Sequence, residues 1–337
     1  MTLATLYTPY IPLLQEFGIQ DPQSIAQYWQ QPHRFYHNEN HLLQLIQDIE
    51  QIKKSQNINE SDAKALLMTA FFHDLIYDPT RQDNEEASAD AFEQMTQPHA
   101  LKSTIKQMIL DTKYHQTQNP LSQQFCDLDM RIVTHSDYNT LLEWEEKIFK
   151  EYQYIDYTYY KVARINILRK IAEQYPQNST NLHNLIAYVE KFRPKIGIYA
   201  GSFNPFHYGH LNILEKAEKI FDKVIVARGI NPNKEDINTQ HLQTQVLKYR
   251  QAENFIGFLT EYIKTKETYA DITLIRGLRN GDDLDYEVNQ LRFMEEMKDP
   301  LNVIFIVCDK QYEHISSSAI KNLEKIDKNF SKKYVPE

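Results

Sequence analysis

The chain has 337 residues, a formal net charge of −9 and two cysteines, Cys126 and Cys308. This length favours two domains with separate cores. The negative charge and the absence of a basic stripe argue against nucleic-acid binding, and two widely separated cysteines argue against a disulfide framework. The N-terminus lacks a basic region, and no apolar run approaches roughly 18 residues. We therefore expect a cytoplasmic protein that binds neither nucleic acid nor membranes.

Residues 1–194 are predicted to be helical. Gly18 is the only glycine in this part, whereas the other seven follow residue 194. Residues 40–54 and 62–77 repeat apolar side chains every three or four positions, as amphipathic helices do. Residues 79–95 are predicted to form a polar loop that leads into another helix.

Several histidines and aspartates in this helical part have the chemistry of metal ligands. His37 and His41 lie four apart, which predicts one helical face. His73 and Asp74 are adjacent, and a second segment contributes Asp127 and Asp129. Imidazoles and carboxylates from separate helices can enclose one or two divalent cations. Each histidine alone is more often a surface or core residue, but an unpaired buried Asp74 would be costly.

The order of these residues resembles the HD-superfamily metal-dependent phosphohydrolases, as do residues 83–89 (DNEEASA), 111–115 (DTKYH) and 159–168 (YYKVARINIL). The resemblance implies an all-α bundle that hydrolyses a phosphoester or nucleotide with a divalent metal (Mn, Fe, Ni, Co, Zn or Mg). The implied metal ligands are His41, His73, Asp74 and Asp129. The segment YHNENH resembles a phosphodiesterase motif that makes His37 the general acid, and Asp83, Glu86 and His115 are implied second-metal or substrate ligands. A regulatory metal- or nucleotide-binding module is the alternative.

The composition changes at residues 192–195 (FRPK), which we predict to join domain 1–194 to domain 195–337. Apolar runs at 195–200, 223–230, 271–278 and 302–308 are predicted strands, and residues 210–221 and 283–297 are predicted helices. A polar and helical segment is expected between the second and third strands. This alternation indicates an α/β Rossmann-like, doubly wound parallel sheet.

The loop GSFNPFHYGH, residues 201–210, joins the first predicted strand to a helix. Ligands of such sheets bind beyond the carboxyl ends of strands, and the free N–H groups of the following helix favour phosphate. The loop has neither a Walker pattern nor GxGxxG. Instead, His207 and His210 lie three apart at the start of the helix. Residue pattern alone therefore predicts a phosphate near this helix terminus.

This loop resembles that of the HxGH nucleotidyltransferases, and residues 273–290 (TLIRGLRNGDDLDYEVNQ) and 314–323 (HISSSAIKNL) extend the resemblance to phosphopantetheine adenylyltransferases. The resemblance implies transfer of AMP from ATP, with Mg²⁺, to 4′-phosphopantetheine, yielding dephospho-coenzyme A and pyrophosphate. The implied catalytic residues are His210, Lys234 and Arg279. The implied phosphopantetheine ligands are Ser202, Lys234 and Arg276. The implied ATP ligands are Gly201, Ser202, His207, His210, Gly277, Arg279, Glu287, Ser316, Ser317 and Ser318.

Three features differ from the usual family pattern: Asn204 replaces an aspartate, His207 replaces a threonine, and the segment after Lys234 is short. They leave open an adenylyl- or cytidylyltransferase for another phosphorylated metabolite. Tyr286 is as compatible with a core position as with the site. The family commonly assembles as hexamers, so a homo-oligomer is implied, but the N-terminal domain leaves its size open.

Overall fold

The computed structural model describes residues 4–55, 58–230, 242 and 244–336. The chain divides into two compact units. The first comprises Met1–Glu151 and Ile165–Ala187, and the second comprises Tyr152–Arg164 and Tyr188–Glu337. The segment Tyr152–Arg164 thus groups with the second unit, although it precedes residue 194.

The described residues before the sheet form helices, as predicted. These are α1 (Ala4–Tyr7), α2 (Ile11–Glu16), α3 (Gln23–Trp29), α4 (Glu39–Ser55), α5 (Glu60–Phe72), α6 (Asn84–Met95), α7 (Lys102–Asp111), α8 (Pro120–Asp129), α9 (Arg131–His135), α10 (Tyr138–Glu151), α11 (Tyr157–Gln174) and α12 (Ser179–Lys191). Helix α5 is central to the first unit because residues 65–72 are all buried. Asn59 caps α5 by accepting the N–H of Asp62, and Asn119 caps α8 in the same way.

Two helix boundaries differ from the sequence predictions. Helix α4 begins at Glu39, so His37 precedes the helix and does not share a helical face with His41. Helix α5 ends at Phe72, so His73 and Asp74 lie just beyond its C-terminus. The His73 Nδ1–H donates to the carbonyl of Ala70, which binds the side chain back against this helix end. The metal-ligand candidates are therefore held at helix termini.

The second unit is built on a parallel sheet with strand order β3–β2–β1–β4–β5. Its elements are β1 (Lys195–Gly201), α13 (Tyr208–Ala217), β2 (Lys223–Ile230), β3 (Gln251–Ile256), α14 (Leu259–Glu267), β4 (Asp271–Leu278), α15 (Gly281–Met297), β5 (Val303–Val307), α16 (Ser317–Ile326) and α17 (Lys328–Ser331). This is the Rossmann-like arrangement that the alternation predicted. Strand β3 was not predicted, because it is an edge strand in which only half of the residues are apolar and most are partly exposed.

Polar contacts attach the segment Tyr152–Arg164 to this sheet. The Lys223 ammonium at the start of β2 donates to the carbonyls of Gln153 and Ile155. The carboxylate of Asp156 accepts from Lys266 at 3.0 Å and from the hydroxyl of Tyr269 at 3.1 Å. These tertiary contacts explain why a segment preceding the predicted boundary belongs to the second unit.

In the part of the chain that the structure describes, no helix combines the length and the apolar character needed to cross a bilayer.

Candidate functional site

The second unit contains a cleft of about 330 Å³ at the carboxyl ends of β1 and β4. In the sheet, β2 lies on one side of β1 and β4 lies on the other, so the strand order changes direction between β1 and β4. The cleft is therefore at the topological switch point, where such sheets bind ligands. Ten of the predicted site residues line the cleft: Gly201, Ser202, His207, His210, Arg276, Gly277, Arg279, Glu287, Ser316 and Ser317. Ser318 is exposed and does not line it, and Lys234 lies outside the described residues.

The two histidines form a reciprocal cap at the start of α13. The Nδ1 atom of His207 accepts the N–H of His210, and the Nδ1 atom of His210 accepts the N–H of His207, both at 3.3 Å. Their rings stack with centroids 3.5 Å apart. Because a neutral imidazole that accepts at Nδ1 carries its proton on Nε2, both rings are N–H donors at Nε2.

Burial keeps both rings uncharged. Burial and the positive charge of Arg279 lower the pKa of His207 to about 4. Burial, followed by unfavourable electrostatic interactions with a protonated His207 and with Arg279, holds the pKa of His210 well below its ordinary value. At neutral pH the helix start therefore presents two neutral hydrogen-bond donors, and the adjacent guanidinium carries the positive charge.

Each arginine of the segment RGLR is held by a carboxylate from α15. Arg276 donates from Nε and Nη2 to Glu287 at 2.5 and 2.7 Å, and from Nη1 to the carbonyl of Ala200. Arg279 donates from Nε and Nη2 to Asp283 at 2.9 and 2.7 Å, and Asp283 also accepts the Arg279 backbone N–H. The carboxylates fix both guanidinium groups at the cleft, with N–H groups remaining for an anionic ligand.

The start of α16 forms another part of the cleft. Ser316 caps this helix by accepting the N–H of Ala319, and the Ser317 hydroxyl donates to the carbonyl of Pro205. Across the cleft, a Cβ added at Gly277 would lie 3.1 Å from both the Ile213 side chain and the Tyr199 hydroxyl. The absence of a side chain at this position lets β4 pack closely against α13.

Sequence reasoning missed several residues of the cleft. Tyr199, Phe203, Asp283 and Cys308 line it but were not among the predicted site residues. Helical spacing could not signal the ion pair between Arg279 and Asp283, because Arg279 precedes α15. Tyr286 also lines the cleft and is 63% exposed, so it is not a core residue.

A second cluster lies in the first unit, where the structure brings together the four predicted metal ligands. The Nε2 atoms of His41 and His73 are 3.3 Å apart. The carboxylate of Asp129 lies 3.0 Å from the first and 3.7 Å from the second. Asp74 is 3.2 Å from the His73 Nε2 atom. Since the His73 Nδ1–H donates to the carbonyl of Ala70, a neutral His73 directs its Nε2 lone pair into the cluster.

Of the additional candidates in this unit, His115 and His37 lie beside the cluster. The His115 Nε2 atom is 2.9 Å from a carboxylate oxygen of Asp129. The His37 and His41 ring centroids are 6.0 Å apart. Three acidic candidates are exposed and bond elsewhere: Asp83 to Arg81, Glu86 to Lys113, and Asp127 to Gln123.

The sequence of the second unit is similar to those of nucleotidyltransferases. Residues 198–323 match the family model described as cytidylyltransferase-like. A phosphopantetheine adenylyltransferase from Clostridium perfringens is 35% identical over 153 residues, which cover 42% of this chain and 92% of that protein. A protein of the same name from Syntrophomonas wolfei is 36% identical over 81% of its length and 38% of this chain. Another from Streptococcus sanguinis is 32% identical over 90% of its length and 42% of this chain. Through this region, the chain belongs to the phosphopantetheine adenylyltransferase family.

Proposed function

We propose that the second unit transfers AMP from ATP to 4′-phosphopantetheine and releases pyrophosphate. The observation that carries the proposal is the convergence of His207, His210, Arg276 and Arg279 on one cleft at the switch point of the sheet. The names of the relatives support phosphopantetheine as the acceptor.

The reaction needs alignment and charge stabilisation more than a general base. The acceptor phosphate is already anionic and attacks the α-phosphorus of ATP as the bond to pyrophosphate breaks. The Nε2–H of His210 would donate to a phosphate oxygen on which charge increases, and Arg279 would provide the positive charge. Arg276 and Ser202 would bind the acceptor phosphate. Mg²⁺ bound to ATP would neutralise part of the phosphate charge.

The test measures pyrophosphate release by the full chain with ATP, Mg²⁺ and 4′-phosphopantetheine. We expect His210→Ala to reduce kcat by roughly 100-fold or more, the usual effect of removing one such donor. Glu215→Ala, an exposed change on the same helix, serves as the matched control. Release with CTP or another phosphorylated acceptor, but not with ATP and phosphopantetheine, would assign the cleft to a different transferase reaction.

We propose a second activity, metal-dependent phosphoester hydrolysis, for the first unit. The observation that favours it is the cluster of the buried His41 and His73 with the partly buried Asp129, whose ligand atoms all lie within 4.8 Å of one another. Two imidazole nitrogens and a carboxylate suit Mn, Fe, Co, Ni or Zn, and the adjacent Asp74 suits the same ion. A cation held there would supply an activated water and would neutralise phosphate charge.

Calorimetry with Mn²⁺, followed by a panel of phosphate monoesters and diesters, tests this activity. We expect Asp129→Asn to weaken Mn²⁺ binding at least tenfold. Asp127→Asn, which changes an exposed carboxylate on the same helix, should leave binding unchanged. Mn²⁺ binding without turnover of any ester would favour a regulatory module, and no Mn²⁺ binding would refute the metal site.

A further inference from the structure

A single buried carboxylate connects the end of α10 to the segment that carries His37. The Glu151 residue is 1% exposed. Its Oε1 atom accepts the backbone N–H groups of Phe35, Tyr36 and His37 at 2.8, 2.7 and 2.9 Å. Three charge-assisted hydrogen bonds to consecutive N–H groups fix the backbone of this turn just before α4.

The other oxygen of the same carboxylate fixes the imidazole. The Glu151 Oε2 atom lies 2.7 Å from the His37 Nδ1 atom and accepts the Tyr77 hydroxyl at 2.6 Å. The Tyr77 ring also stacks on the His37 ring, with centroids 4.3 Å apart. Burial alone would raise the pKa of Glu151, but His37 and the hydrogen bonds outweigh burial and leave the pKa lowered. An ionised carboxylate can only accept, so His37 donates from Nδ1.

This arrangement determines what the second ring nitrogen can do. The His37 Nε2 atom has no hydrogen-bond partner among the residues that the structure describes, and the ring lies beside His41. We propose that Glu151 is a positioning residue that holds His37 with Nε2 available to the substrate of the first unit. The inference rests on the proposed phosphohydrolase activity of this unit. It adds to that site Glu151, which is 114 positions from His37 in the sequence.

The proton balance of the proposed step is simple. His37 enters the step as an imidazolium, with protons on both Nδ1 and Nε2. As water attacks phosphorus and the bond to the leaving oxygen breaks, the Nε2 proton of His37 passes to that oxygen, and the attacking water loses a proton to solvent. His37 keeps its Nδ1 proton, which remains hydrogen-bonded to Glu151, and regains the Nε2 proton from solvent. Glu151 transfers no proton and acts only through His37. Its removal should therefore matter most for esters whose leaving oxygen is strongly basic.

The test uses Glu151→Gln in the full chain, with Glu146→Gln as the matched control. Both changes remove a carboxylate from α10, but Glu146 is exposed. The amide oxygen can still accept the three backbone N–H groups, whereas its NH₂ group would face the His37 Nδ1–H. Histidine ¹⁵N NMR of the metal-free protein, assigned with His37→Gln, should show that Nδ1 is protonated in the wild type and the Glu146 variant. In Glu151→Gln that signal should be lost or shifted.

The second readout is Mn²⁺-dependent hydrolysis of p-nitrophenyl phosphate and phenyl phosphate. We expect Glu151→Gln to reduce kcat on phenyl phosphate by roughly 100-fold and on p-nitrophenyl phosphate by less than tenfold, since nitrophenolate leaves without a proton. Equal losses on both esters, or an unchanged His37 signal, would overturn the inference. If the wild type hydrolyses none of the monoesters and diesters of the panel, the hydrolase proposal fails, and the NMR result alone decides whether Glu151 positions His37.

Discussion

Because His207 and His210 are both buried and neutral, we expect acid to destabilise the second unit, and the contribution of His207 can be isolated. Its pKa is lowered from 6.5 to about 4, so between these pH values the unfolded chain binds more protons than the folded chain. Stability contributed by the neutral ring is therefore present above pH 6.5 and is lost as the pH falls toward 4. From the size of this shift, the loss at pH 4 amounts to about 3 kcal/mol.

The perturbation that isolates this effect is His207→Thr. Threonine can cap α13 by accepting the N–H of His210, as the imidazole does, but it does not titrate. We expect the variant to resemble the wild type at pH 7 within about 1 kcal/mol and to be more stable by about 2–3 kcal/mol at pH 4. His314→Thr, which replaces an exposed histidine of the same unit, should show the wild-type pH dependence.

Both tryptophans, Trp29 and Trp144, lie in the first unit, so fluorescence would not report on the second. Urea unfolding should instead be followed by pulsed hydrogen exchange in peptides from residues 197–221, at several pH values from 7 to 4. Equal acid destabilisation of the wild type and His207→Thr would refute the reasoning. An NMR titration that places the pKa of His207 near 6.5 would refute it independently.

Two further predictions concern the part of the cleft that we propose binds ATP. Asp283→Asn should raise KM for ATP about tenfold in steady-state kinetics, because it weakens a partly exposed ion pair to Arg279 worth about 1–2 kcal/mol. The control Asp282→Asn should show little change. A lower KM in Asp283→Asn would mean that the carboxylate competes with ATP. Gly277→Ala should destabilise the second unit by about 1–2 kcal/mol and lower kcat/KM for ATP, since the added Cβ would lie 3.1 Å from two neighbouring side chains. Unchanged urea unfolding and unchanged kinetics would show that β4 tolerates the added methyl group.

Local patterns account for most of the secondary structure and for the position of the cleft. Each of the strands β1, β2, β4 and β5 is a single apolar run, and the loop at 201–210 directly follows β1. The order of these segments therefore predicts a parallel sheet with a phosphate site at its switch point. The edge strand β3 could not be predicted in this way, because its polar residues carry no buried-strand signal and its pairing with β2 is a tertiary contact.

The residue types available at each site could be read from the sequence, because the HYGH, RGLR and HD segments are each contiguous. Their hydrogen-bond and ion-pair partners depend on the tertiary fold. Glu151 meets His37 across 114 positions, and Glu287 holds Arg276 only because α15 packs beside β4. The pKa of His207 is likewise a property of the folded cleft, since its main cause is burial. Contacts between distant residues and the desolvation of buried groups depend on how the elements pack, so they cannot be predicted from contiguous stretches of sequence.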